Sequence, residues 1–186
     1  PELVSSVPGF EAKPNFAVEL TRKLYTYNAI NAAVCYLGAE RGYVWLSDAA
    51  NDSEIADLAT QVGVESSAAL VAEFGFDEGE QRDWSGMALA KYQDVTIRDP
   101  IERNARDPIR KLGLHDRILG PLHLCIKHGL PHEALIQTMK SAITYSEPSD
   151  SAATQLGLYV DDFGAWGALQ KVAVGLDESL AKYVGK

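Results

Sequence analysis

From Ile55 to Phe74 the apolar residues Ile55, Leu58, Val62, Ala69, Leu70 and Phe74 recur at helical spacing. That pattern lines one face of a 3.6-residue helix. Asp52 or Ser53 is placed to open this helix, and Gly75 to close it. A longer helix is predicted before it, from about Phe16 to Leu37, with Asn15 as its cap and Gly38 as its stop. A third covers about Glu78 to Tyr92. Asp107-Pro108 reads as a helix start, because Asp caps well and Pro is favoured at the first helical position. Asp116 to His128 reads as helical, with Pro121 inside as a point of kinking. Further helices are predicted from Pro131 or His132 to about Tyr145, from Ser149 to Phe163 and from Trp166 to Val174, and Asp177 opens a short last one. Val44-Trp45-Leu46 comes nearest to a strand and is too short to be convincing. The expectation is an all-α fold with its first helix as a central post.

The chain has 186 residues, 46% of them apolar and 23% charged. This suits one helical domain over residues 16–186, preceded by a loop-like linker over residues 1–15. The start at Pro1 rather than Met reads as a segment taken from a longer chain. No apolar run approaches the roughly 20 residues that cross a bilayer. The net charge of −9 argues against nucleic acid as a partner, since neutralising phosphates needs a basic face. Cys35 and Cys125 fall in apolar helical stretches and read as buried, reduced thiols of a cytoplasmic protein. His123, His128 and His132 lie near one another in sequence, but Pro131 interrupts the helix that would align them, so no metal site is expected. Tyr25, Tyr27, Tyr36, Tyr43 and Trp45 read as core and interface packing.

Candidate chemistry is concentrated in Lys23-Leu-Tyr-Thr-Tyr-Asn28-Ala-Ile-Asn31. An amine beside two carboxamides can grip and protonate an alcohol or carbonyl oxygen. A Lys and two Asn can equally be a solvated stripe of an amphipathic helix, and spacing alone leaves both readings open. A second cluster lies between Arg98 and Arg117, where six cations (Arg98, Arg103, Arg106, Arg110, Lys111 and Arg117) face four carboxylates. Such a basic island in an acidic protein suits a small anion, with Arg110 in the first turn of the Asp107-capped helix and His115 close by. The alternative is an ion-pair network that pins helices together. No Gly-x-Gly-x-x-Gly, P-loop or Gly-x-Ser-x-Gly pattern occurs.

The segment RKLYTYNAINAAVCYLGAERGY resembles the start of the C-terminal domain of the mannitol-1-phosphate 5-dehydrogenases, within the polyol-specific long-chain dehydrogenases. The family pattern is Lys, four residues, Asn, two residues, His, and then a helix ending in Tyr-Leu-Gly. Lys23, Asn28 and Tyr36-Leu37-Gly38 match it, and Asn31 stands where the family has His. DPIERNARDPIRKLGLHDRILGPL is similar to the family's Glu-Arg-x-x-Arg-x-Pro-x-Arg-Lys-Leu block with the Asp-Arg that follows, and KHGLPHEALI is similar to a further block. Asp94-Val95 replaces the family's Asn-Pro step. The resemblance implies a helical substrate domain packed on an N-terminal Rossmann domain that lies upstream and holds NAD. It implies a sugar alcohol phosphate, such as mannitol 1-phosphate, as substrate. Lys23 would be the general acid/base, with Asn28 and Asn31 orienting the reacting oxygen. Arg103, Arg106, Arg110, Lys111 and His115 are the phosphate candidates. The rival expectation is a non-catalytic interaction or dimerisation module descended from such an enzyme.

Overall fold

A computed structural model describes residues 15–185, and those residues are helical with no strand among them. The linker expected over residues 1–15 lies, Asn15 apart, outside the described residues. Asn15 caps α1 (Phe16–Lys23), its side chain accepting from the Val18 amide. The chain then makes one π turn (Leu24–Asn28) and continues as α2 (Ala29–Glu40). Every residue of α2 from Ala29 to Gly38 is buried, so α2 is the expected central post. It packs against α3 (Leu46–Ala50), α4 (Ser53–Phe74), α6 (Ile101–Ala105) and α9 (Glu133–Ile143).

Gly38 does not end the helix. A Cβ there would come within 2.7 Å of Ala49 Cβ and of Ile101 Cδ1, so this glycine lets α3 and α6 approach the post closely. Asp52 caps α4 by accepting from the Glu54 and Ile55 amides, and Gly75 stops it at φ 72°. Asp77 caps α5 (Glu78–Gln93). Asp107 caps α7 as expected, but α7 is a single turn (Pro108–Lys111). The helix expected from Asp116 begins only at Leu119 (α8, Leu119–His128). Pro121 therefore falls in its first turn, where the missing N–H has no helical partner to lose. Glu65, buried on α4, caps α9 by accepting from the Ala134 and Leu135 amides at 2.9 Å. The last long helix, α10 (Ser151–Val172), is broken at Gly164, and Asp177 opens the closing turns.

Val44-Trp45-Leu46 forms no strand. It makes an isolated antiparallel bridge, Trp45 to Pro100, closed by Leu46 N–H to Asp99 O and Ile101 N–H to Val44 O, each at 2.9 Å. This bridge ties the start of α3 to the start of α6 and shapes the site.

Candidate functional site

Asn28 ends the π turn and Asn31 follows one turn later on α2. Both line a polar cleft of about 260 Å³. Ser47 from α3 and Lys91 and Tyr92 from α5 also line it. Asp99 before α6, Asn104 on α6 and Arg117 before α8 complete the polar wall.

The wall is held by bonds that tie each element to the next. Asn31 Nδ2 donates to Asn104 Oδ1 at 3.1 Å, and Asn104 Nδ2 donates to the Pro100 carbonyl at 3.0 Å. The Asn31 amide is thereby oriented, and its Oδ1 is left as an acceptor. Tyr92 Oη donates to the Tyr27 carbonyl at 3.0 Å, and burial pushes its phenol up to about 12, so it stays a donor. Arg117 Nε donates to Asp116 Oδ1 at 2.8 Å. Asn28 makes no side-chain hydrogen bond to a described residue and is free to engage a ligand.

Lys23 stands apart from this cleft. Its side chain is exposed and does not line the cavity. The pocket expected around it is not formed by the described residues alone. The π turn nonetheless bears on its position. Five residues along an α-helix turn about 140° away, whereas a π turn repeats at i→i+5 and brings such a pair toward one face. Lys23 and Asn28 are five apart across that turn. Arg22, by contrast, points inward, stacked between Phe76 and Trp84.

The basic island does not converge on the cleft. Arg103 is exposed and sits 3.4 Å from Asp99. Arg106 and His115 are exposed. Arg110 pairs with Asp107 at 2.9 Å and with Asp116 at 3.6 Å. Lys111 is only 3% exposed, and its Nζ donates to the carbonyls of Asn104 and Arg106 at the end of α6. Burial pulls its ammonium down to about 8. A neutral amine still has two N–H groups for those two carbonyls. The cations that do line the cleft are Lys91 and Arg117. The sequence hinted at Arg117 through its Asp-Arg step and at Asn104 through its place in the Arg-rich block. Nothing in the sequence pointed to Ser47, Lys91, Tyr92 or Asp99, which are brought together by the Trp45–Pro100 bridge and the α5 packing.

Two larger cavities, of about 680 and 540 Å³, lie along α4 and are lined mainly by aliphatic side chains. No group of three metal-ligating side chains occurs among the described residues, and none of their helices is long and apolar enough to cross a membrane.

Residues 19–186 match the family described as mannitol dehydrogenase C-terminal domain. A solved structure of substrate-free D-sorbitol dehydrogenase shares the fold, with a TM-score of 0.61 at 14% identity. That likeness covers 84% of this chain and 41% of the sorbitol dehydrogenase chain, so the chain spans less than half the length of that relative.

Proposed function

This chain belongs to the mannitol dehydrogenase C-terminal domain family, and from that premise we propose that it is the substrate domain of an oxidoreductase interconverting a polyol, such as mannitol 1-phosphate, and its keto sugar. The observation that carries this reading is the polar cleft that Asn28 and Asn31 share with Ser47, Asp99 and Arg117. Its volume suits a six-carbon polyol. It does not suit a dinucleotide, and the chain has no Gly-rich phosphate turn to cradle one. A nicotinamide cofactor, NAD in this reading, would be held by a Rossmann domain packed against this one and would supply hydride exchange at the substrate carbon.

The residues of this chain handle the oxygen and its proton. In oxidation the Lys23 amine takes the hydroxyl proton, and in reduction the Lys23 ammonium returns it. Lys23 is exposed in this domain alone, so its proton exchange depends on the cofactor domain closing over α1 and excluding water. Asn28 donates to the substrate oxygen as negative charge develops there. Asn31, held by Asn104, accepts from a neighbouring hydroxyl; an amide cannot relay a proton as the family His can. The two cysteines are free and buried, which agrees with a cytoplasmic, reducing setting.

The exposure of Lys23 and the Asn at position 31 favour a second reading, a non-catalytic helical module derived from such an enzyme. Turnover separates the two. The complete natural protein is assayed with mannitol 1-phosphate, sorbitol 6-phosphate, mannitol and sorbitol, with NAD and NADP. Lys23→Ala is expected to lower kcat by about 10²–10⁴. Equal rates for the variant and the parent protein would remove Lys23 from the mechanism, and no turnover by the parent leaves the second reading.

A further inference from the structure

We propose that Ser47 and Asp99 form a hydroxyl-reading pair in the cleft, selecting a polyhydric chain and placing it against Asn28 and Asn31. The proposal rests on the polyol reading above and names the residues that decide which polyol is taken.

Among the described residues, four buried side-chain polar atoms have no hydrogen-bond partner: Arg22 Nη2, Ser47 Oγ, Ser66 Oγ and Asp99 Oδ1. Arg22 has other compensation, since its guanidinium stacks on Phe76 and Trp84 and lies 3.8 Å from Glu80. Ser66 is sealed in the core. Ser47 and Asp99 differ from both, because they line the same polar cleft; exposed Arg103 places its Nη1 3.4 Å from Asp99 Oδ1 as an ion pair but makes no hydrogen bond to it. Ser47 is 1% exposed, so its hydroxyl is not turned to bulk water. Across the Trp45–Pro100 bridge the Leu46 N–H donates to the Asp99 carbonyl at 2.9 Å, so Ser47 follows directly on the residue bonded to Asp99. Unpaired buried polar atoms are rare in native proteins, and two meeting in one cleft mark a place where a ligand completes the bonding.

The chemistry of the pair indicates the ligand. An ionised carboxylate only accepts, and the Arg103 ion pair at 3.4 Å leaves Asp99 Oδ1 without a hydrogen bond, so it can take an incoming donor. Asn31 Oδ1 is a second acceptor, since its amide nitrogen is committed to Asn104. Ser47 can donate to one oxygen and accept from another. Two acceptors beside one hydroxyl match adjacent alcohol O–H groups. A phosphate group, which offers mainly acceptors, is repelled by Asp99 and has Lys91 and Arg117 available on the same wall.

The test uses the complete natural protein and its Ser47→Ala and Asp99→Asn variants. Thermal melting is followed with mannitol, with sorbitol and with inorganic phosphate, alongside kcat and KM. Without ligand, Ser47→Ala should melt no lower than the parent protein, because it removes a hydroxyl that has no partner. It should also lose the melting shift that polyol induces. Both variants should raise KM for polyol by about tenfold or more, with kcat within about threefold and phosphate binding unchanged. Polyol affinity equal to the parent's in both variants overturns the pair, leaving ordered water alone at these atoms. Weakened phosphate binding in both variants overturns it in favour of an anion site. Polyol binding that depends on Ser47 without turnover keeps the pair and fells the dehydrogenase reading. Turnover with unchanged KM does the reverse. A parent protein that neither binds nor oxidises a polyol fells both.

Discussion

Asn31 and Asn104 lie 73 residues apart in sequence and share one hydrogen bond, Nδ2 to Oδ1 at 3.1 Å, across the wall of the cleft. Asn104 also donates to the Pro100 carbonyl, so a single side chain ties the central helix to the bridge that holds Asp99. Removing it in Asn104→Ala frees the Asn31 amide to rotate. We expect a stability loss of about 1–2 kcal/mol in urea melts. A rise in KM of about tenfold, with kcat little changed, is expected in steady-state assays. Unchanged KM would mean that the Asn31 orientation does not matter to substrate.

Position 31 also carries the clearest departure from the family pattern. Asn31→His restores a group that titrates near 6.5 in water. The pH profile of kcat/KM should then gain an ionisation in the neutral range that the parent lacks. A profile superimposable on the parent's would show that position 31 has no part in proton movement.

Lys111 ties stability to pH through its burial. Its ammonium is lowered from 10.5 to about 8. Between those values the unfolded chain keeps a proton that the folded chain has released, so stability rises with pH across the interval. Below about pH 8 both states are protonated, and this residue adds no pH dependence. Cys35 and Cys125, pushed up to about 12 by burial, act in the opposite direction above about pH 9. The difference between the parent and Lys111→Met isolates the lysine. Between pH 7.5 and 10 the parent should gain on the order of 2 kcal/mol relative to the variant in urea melts. A constant difference across that range would mean that Lys111 is not held near 8.

Arg22 braces α1 against α5. Its guanidinium lies 4.6 Å from the Phe76 ring centre and 4.4 Å from that of Trp84, and its Nε donates to Gln81 Oε1 at 2.8 Å. Arg22→Ala should cost about 3 kcal/mol, because it empties a packed slot and strands Gln81. Arg22→Lys should recover only part of this, since an ammonium neither stacks nor donates in the same plane. Chemical denaturation of the two variants checks the order.

Gly120 is packed against the π turn. A Cβ at this position would stand 2.3 Å from Tyr25 Oη, and Tyr25 lies within that turn. Gly120→Ala forces the phenol to move and should cost about 1–3 kcal/mol. If the turn sets the register between Lys23 and Asn28, kcat should fall as well. A stable variant with full kcat would separate the π turn from catalysis.

Much of the helical framework is legible from short stretches. Asn15, Asp52, Asp107 and Asp177 cap the elements that follow them, and Gly75 ends α4. These are bonds within a few residues, so side-chain type and spacing determine them, as does the apolar rhythm that makes the fold all-α. Local pattern failed where a distant partner chose the outcome. Gly38 reads as a helix stop, yet it is a contact surface for Ala49 and Ile101. Lys111 reads as an anion ligand, yet it holds the end of α6. The π turn has no signal in spacing, and Ser47 and Asp99 come to line one cleft only through a bridge between Trp45 and Pro100. Local hydrogen bonding and helical period are written in neighbouring residues. Which side chains share a wall, and which polar atoms are left to bind, is decided by close packing of segments far apart in the chain.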